Sequence, residues 1–240
     1  IPGGTGDFTV LFQQVTVAAK LVASRVRKAG LTSLLGVTGD TNVQGEAVQK
    51  LDVYANRAIL SCVGNGRFVA VAASEELEEL VIMPSRSGKR HGRYALVFDP
   101  LDGSGNIDVN AATGTIFAIY RRTHPELAPT EGDVLRPGNE LAAAGYVVYG
   151  SSTVLVYSTG DGVHEFTYDP AIGEFLLSRP DMRIPQRGAV YSVNEANAHR
   201  WHPNTRRWVK RVKTMPHAAG GQDRVTLRYS GAMVADVHRI

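Results

Sequence analysis

One cysteine, Cys62, stands in 240 residues, so no disulfide can close within the chain and no thiol pair can act as a switch. Such usage suits a reducing compartment. Long apolar runs are missing too: nothing approaches the roughly 20 residues that cross a bilayer. The N-terminus does not have the pattern of a signal peptide. An excess of one charge is also lacking, since 26 basic residues against 23 acidic ones leave +3. The basic residues gather late, at Arg200, Arg206, Arg207, Lys210, Arg211 and Lys213, with Trp201 and Trp208 among them. Nucleic-acid binding is one reading of that interleaving. A solvated helix face with its tryptophans in the core is the reading preferred here, so no nucleic acid is expected. His199 and His202 have helical spacing, but no further His or Cys completes a zinc set, and they are read as surface or core histidines. There is no internal repeat and no low-complexity tract. What is present is a globular composition, 43% hydrophobic and 20% charged, in a chain long enough to bury a full core.

Periodicity places the elements. Val15, Ala18, Ala19, Val22, Val26 and Ala29 fall on one helical face, which predicts a helix over 12–29 stopped by Gly30. Residues 31–50, rich in Gly, Thr, Asn and Gln, are expected to be a mobile loop, and a second helix runs from about 47 to 62. Strands are expected at 68–73, 93–98 and 114–121, followed by a Pro-containing loop over 125–137. A strand-rich half follows, at 145–148, 154–158, 164–168, 174–177 and 191–194, with a helix near 204–212. Periodicity alone supports α+β or α/β.

The most informative stretch is Phe98-Asp99-Pro100-Leu101-Asp102-Gly103-Ser104-Gly105-Asn106-Ile107-Asp108. It follows a strand-like run and sets three carboxylates around a Gly-rich turn. Pro100 fixes its own φ, so Asp99 and Asp102 are held close together. Hard divalent cations want clustered oxygen ligands. The backbone N–H groups of Gly103, Ser104 and Gly105 can face an anion that the same cation touches. Asp-Pro and Asp-Gly are also common turn dipeptides that need no ligand. Upstream, Glu75 and Glu76 follow the strand-like 68–74. Acidic residues ending two neighbouring strands would meet at one sheet edge, where open α/β sheets place ligands. Glu75, Glu76, Glu78 and Glu79 can equally open a helix. Asp52 and Glu46 are a third acidic pair, or solvated helix residues.

The ordered set Leu51-Asp52-Val53, Ser74-Glu75-Glu76 and Phe98–Asp108 resembles the fructose-1,6-bisphosphatase family. Thr41-Asn42-Val43, Gly114-Thr115-Ile116-Phe117, Ala143-Ala144-Gly145-Tyr146, Asp169–Phe175 and Arg228–Arg239 match it as well, in one collinear order. The resemblance implies a sugar-phosphatase fold of alternating α/β/α/β/α layers. It implies an N-terminal metal-binding and regulatory portion over 1–140 and a sugar-phosphate portion beginning over 141–240. The implied activity is Mg²⁺-dependent hydrolysis of the 1-phosphate of fructose 1,6-bisphosphate, with Mn²⁺ or Zn²⁺ as possible alternatives. Sedoheptulose-bisphosphatase or inositol-phosphatase chemistry stays open, as does an inactive AMP-binding or oligomer-forming remnant.

By that resemblance Glu75, Glu76, Asp99, Asp102 and the Leu101 carbonyl form the metal shell. Asp52, Glu76 and Glu46 activate or orient water, and Asp102, Gly103 and Ser104 receive the 1-phosphate end. Asn194 and Tyr229 hold the 6-phosphate, while Arg228 reaches into a neighbouring subunit, which implies a homodimer or homotetramer. Thr5, Asp7, Phe8, Thr9, Arg93, Tyr94 and Arg121 correspond to an inhibitory AMP site, although Thr5 or Thr9 can also simply cap the first helix. A cytoplasmic enzyme of gluconeogenesis or sucrose synthesis is implied; the lone cysteine argues against a redox-regulated chloroplast form. Three positions depart from the family pattern: Glu46 replaces an aspartate, Gly105 a serine and Asn197 a tyrosine. The family continues past residue 240 with a substrate-binding lysine and a metal-site glutamate, so this chain is expected to lack the C-terminal part.

Overall fold

The computed structural model describes residues 6–31, 37–41, 47–85, 91–186, 188–215 and 225–239. Helix α1 runs Asp7–Val26 and buries Leu11, Val15, Ala18, Ala19, Val22 and Ala23 along one face. It starts five residues before the expected position. It also ends before Gly30: Arg27 is its C-cap, and a 3₁₀ turn at Ala29–Leu31 follows. The expected loop over 31–50 instead contains two short antiparallel strands, β1 (Val37–Thr41) and β2 (Ala47–Gln49). Helix α2 is Lys50–Asn65, later at both ends than its sequence pattern indicates, and its buried stripe repeats at Leu51, Ala55, Ile59 and Val63.

Eight further strands build the main sheet: β3 (Val69–Ser74), β4 (Val81–Ile82), β5 (Tyr94–Asp102), β6 (Thr113–Arg121), β7 (Leu141–Tyr149), β8 (Thr153–Ser158), β9 (His164–Asp169) and β10 (Glu174–Arg179). Their order is β10-β9-β8-β7-β6-β5-β3-β4. Every pairing is antiparallel except β3 with β5, which run parallel and so end side by side, Ser74 opposite Phe98. That single parallel pair is what brings the two acidic strand ends together.

One face of the sheet carries α1 and α2, whose stripes pack on Leu96, Phe98, Phe117, Ile119, Val147 and Leu155. The opposite face carries α4 (Met233–Arg239), where Val234 and Ala235 pack with Val148, Ile116 and Tyr146. This is a layered α/β fold. A parallel pair of short strands, β11 (Val190–Tyr191) with β12 (Thr226–Leu227), joins helix α3 (Pro203–Thr214) through Tyr191, Val209 and Val212. The tryptophans are not both in the core. Trp208 is 52% exposed, because Val209 and Val212 turn toward β11 and leave the preceding position on the helix flank. His199 and His202 are surface residues, and His202 caps α3 by accepting from the Asn204 N–H at 3.3 Å. Among the described residues no helix is long and apolar enough to cross a membrane.

Candidate metal and phosphate site

Asp52 and Asn56 lie one turn apart on the flank of α2 that meets the ends of β3 and β5. Asp52 is not a solvated helix residue: it is 1% exposed. Asn56 accepts a hydrogen bond from Ser74 Oγ at 2.9 Å, which ties the helix to the end of β3. Beyond Ser74 the chain turns instead of starting a helix, so Glu75 and Glu76 are half-buried turn residues. The Glu75 N–H donates to the Phe98 carbonyl at 3.0 Å and continues the ladder to β5 by one rung. Glu78 and Glu79 are exposed.

β5 carries the other carboxylates. Asp99 Oδ1 accepts from the Leu101 N–H at 2.9 Å, which folds its side chain over Pro100. Asp102 Oδ2 accepts from the Val234 N–H in the first turn of α4, at 2.7 Å. Gly103 then takes φ +74, and any side chain there would run into Ala232. Glycine is required on both counts. Ser104 opens a 3₁₀ turn, Ser104–Val109, in which Asp108 is exposed; Asp108 lines a separate recess with Arg27, Asn110 and Tyr149.

Negative charge accumulates here. Burial, then Asp52 and Glu75, push the Glu76 carboxyl up to about 8, with Asp99 adding to the effect. Burial also pushes Asp99 up to about 7 against the opposing Leu101 hydrogen bond, with Asp102, Glu75 and Asp52 contributing. Five carboxylates therefore share one field. Among the described residues no group of three or more His, Cys, Asp or Glu is arranged to hold a metal ion. The donor set nonetheless fits a hard cation. All its donors are oxygens, a bound cation would relieve the repulsion, and Mg²⁺ characteristically takes one or two carboxylates and completes its shell with water and phosphate.

Beside the carboxylates lies a cleft of about 390 Å³ whose lining includes Asp102, Ser192, Val193, Tyr229, Met233 and Asp236. Tyr229 is thus brought to the same cleft as Asp102. Arg228 is exposed beside it, its N–H donating to the Tyr191 carbonyl at 2.9 Å. Asn194 lies beyond the end of β11, which stops at Tyr191. Its side chain caps a 3₁₀ turn by accepting from the Ala196 N–H at 3.1 Å, so that oxygen is already engaged. Glu46 and Thr5 lie outside the described residues.

The residues matched to a nucleotide site collect at the opposite end of β5. Asp7 pairs with Arg93 at 3.1 Å, and the Phe8 ring meets Tyr94 edge-on at 5.9 Å. Tyr94 lies directly opposite Arg121 across the β5–β6 ladder. Thr9 is exposed inside α1 and does not cap it: the N-cap is Gly6, in the left-handed region, with no side-chain cap bond. Sequence reasoning assigned nothing to Asn56, Ser74, Asn106 or Asp236. Asn56 was findable from its i, i+4 spacing to Asp52, and Asn106 and Asp236 from their places inside the two longest motifs.

The profile described as "Fructose-1-6-bisphosphatase, N-terminal domain" matches residues 1–180, and the corresponding C-terminal domain profile matches 184–240. The cytosolic fructose-1,6-bisphosphatase of Brassica napus is 49% identical over 99% of this chain and 68% of its own length. The class 1 fructose-1,6-bisphosphatase of Sorangium cellulosum is 50% identical over 99% of this chain and 67% of its own. The crystal structure of the Leishmania major fructose-1,6-bisphosphatase in holo form superimposes with a TM-score of 0.89 at 37% identity, covering 99% of this chain and 72% of that one. The chain belongs to the fructose-1,6-bisphosphatase family, whose members are phosphatase hydrolases.

Proposed function

We propose that this chain carries the site that hydrolyses the 1-phosphate of fructose 1,6-bisphosphate to fructose 6-phosphate and phosphate, with Mg²⁺ as its cofactor. The observation that carries the proposal is the meeting of Asp52, Glu75, Glu76, Asp99 and Asp102 beside the Gly103 turn, with two carboxyls pushed up to about 7 and about 8. Glu75, Glu76, Asp99 and Asp102, with the Leu101 carbonyl, are the residues that would hold the cation. Mg²⁺ fits better than Zn²⁺, because the carboxylates and the Leu101 carbonyl that would hold it are all oxygen donors. Mn²⁺ shares the preference for oxygen. When bound, the cation supplies neutralisation of the phosphoryl oxygens and a lowered pKa for the attacking water.

The protein's own part is positioning. Gly103 and Ser104 offer backbone N–H groups to the 1-phosphate. Glu76 and buried Asp52 activate or orient the attacking water. Glu46 assists from the segment before β2. Tyr229 and Asn194 hold the 6-phosphate, and Arg228 reaches the site of a neighbouring copy in a homodimer or homotetramer, its fork suited to phosphate. Residues 1–140 carry the metal and regulatory functions, and 141–240 begin the sugar-phosphate portion.

AMP inhibits from the corner formed by Asp7, Phe8, Arg93, Tyr94 and Arg121. The enzyme works in the cytoplasm, in gluconeogenesis or sucrose synthesis; the Brassica napus relative is named cytosolic. The test is phosphate release from fructose 1,6-bisphosphate as Mg²⁺ is titrated. Metal-dependent release that Asp102→Ala abolishes is the expected result. Release that ignores both Mg²⁺ and Asp102→Ala would overturn the assignment.

A further inference from the structure

Two segments far apart in sequence meet at the cleft. One is the turn at Gly103–Asn110, which follows the metal carboxylates. The other is Arg228–Asp236, which carries Tyr229, one of the two residues proposed to hold the second phosphate. One hydrogen bond joins them directly, a second joins Asp102, just before the turn, to Val234, and the others brace each side of that junction. The Asn106 side-chain amide donates both to the Ser230 carbonyl at 2.9 Å and to the Ala112 carbonyl at 3.0 Å. The Ser230 N–H is received by the Asp236 carboxylate, at 3.1 and 3.2 Å to its two oxygens. Ser230 Oγ donates to the Ala232 carbonyl at 3.1 Å. The Val234 N–H reaches Asp102 at 2.7 Å. Ser230 is thus held by its carbonyl from one side and its N–H from the other. Tyr229, its immediate neighbour, opens onto the cleft that Asp102 lines. Asp236 is buried and Asn106 half-buried, so water competes poorly for these bonds.

We infer that Asn106 and Asp236 are positioning residues that set the spacing between the Gly103–Ser104 phosphate nest and Tyr229, and so make the site selective for a sugar carrying two phosphates over one carrying a single phosphate. The inference rests on the proposed function. A ligand that bridges two subsites gains from both only when their separation is fixed in advance, because the second contact is then intramolecular. Loosening Ser230 leaves each subsite able to bind its own phosphate but removes the gain from bridging. Neither residue needs to touch the reacting atoms.

The experiment compares kcat/KM for fructose 1,6-bisphosphate and fructose 1-phosphate under Mg²⁺, together with calorimetric binding of fructose 6-phosphate. The proteins are the unchanged chain, Asn106→Asp, Asp236→Ala and Asp236→Asn. Asn106→Asp removes both amide donors at nearly constant size. The unchanged chain should prefer the bisphosphate. In Asn106→Asp and Asp236→Ala, kcat/KM for the bisphosphate should fall by about tenfold or more, mostly through KM, the size expected for losing one or two buried hydrogen bonds. The monophosphate rate and fructose 6-phosphate affinity should change by less than about threefold. Asp236→Asn keeps an oxygen for the Ser230 N–H and should restore most of the preference. If both substrates lose equally in Asn106→Asp and Asp236→Ala, or if the preference survives in both, the positioning role is refuted while the activity stands. If the unchanged chain shows no preference for the bisphosphate, the functional reading itself fails, and this inference with it.

Discussion

The two ends of β5 differ in how they treat charge. At the end starting with Arg93 and Tyr94, acids and bases are paired. Asp7 meets Arg93, and buried Arg122 pairs with Asp133 at 3.0 Å while donating to the Gly92 and Leu127 carbonyls. Arg136 grips Glu140, stacks on Tyr120 and donates to the Arg121 carbonyl at 2.7 Å. At the end closing with Asp99 and Asp102, about 26 Å away by the rise of an extended strand, five carboxylates crowd together and raise one another's pKa. One strand therefore carries a stabilised end and a destabilised one. At one end the charge strain is left for a bound cation to relieve; at the other it is balanced within the protein.

The strongest way to break the contrast is at the acidic end. Asp99→Asn should lower Mg²⁺-dependent phosphate release by at least about a hundredfold. The same variant should melt no lower than the unchanged chain in metal-free buffer, and lose most of the thermal shift that Mg²⁺ confers. A lower metal-free melting temperature would show that Asp99 is structural. For Arg122 at the paired end the expected change is in stability alone. Arg122→Ala strands Asp133 and two buried carbonyls, and should cost about 3–5 kcal/mol in denaturant unfolding.

The pH dependence should differ in sign between the ends. Asp133 is held below its ordinary carboxyl pKa: Arg122 and the Thr130 N–H outweigh the opposing effect of burial. Its contribution is present above the unfolded pKa and is lost as pH falls through the depressed folded value. Glu76 and Asp99 behave oppositely. With folded values of about 8 and about 7 against ordinary values of 4.5 and 3.8, the folded state binds more protons across that window. Metal-free stability should therefore rise as pH drops from 8 toward 5, and Glu76→Gln should flatten the slope. A slope that Glu76→Gln leaves unchanged would place its origin elsewhere. The smallest effect expected is that of Arg93→Ala. Its ion pair with Asp7 is half exposed and worth no more than about 1 kcal/mol, so the proposed inhibition by AMP should weaken while the melting temperature barely moves.

What the sequence revealed follows the range of the interactions involved. Asp99, Asp102 and Gly103 lie within five residues, and Pro100 and the glycine announce their geometry directly. The meeting of Glu75 with Asp99 depended on β3 and β5 being parallel neighbours, which strand-like runs with acidic ends suggested but could not fix. The burial of Asp52 was not visible, because a carboxylate one turn before Asn56 looks the same on a wet helix as on one abutting a strand end. β1 and β2 escaped notice because Gly, Thr, Asn and Gln dominate their neighbourhood and leave no alternation. Trp208 was misjudged because composition says an indole is apolar, while the helical phase set by Val209 and Val212 decides where it points. The Asn106–Ser230 link has no local signature, since its partners are 124 residues apart.

The bond from the Val234 N–H to Asp102 spans 132 residues, and this separation affects how the cleft comes into being. During synthesis at roughly 5–20 residues per second, about 7 to 26 s pass between the emergence of Asp102 and that of its partner. Through that interval the sheet and α1 can assemble from nearer neighbours, but the wall of the cleft that α4 supplies does not yet exist. Closing so long a loop is also the slow kind of contact. The nascent chain can therefore acquire its core well before it can acquire its ligand site.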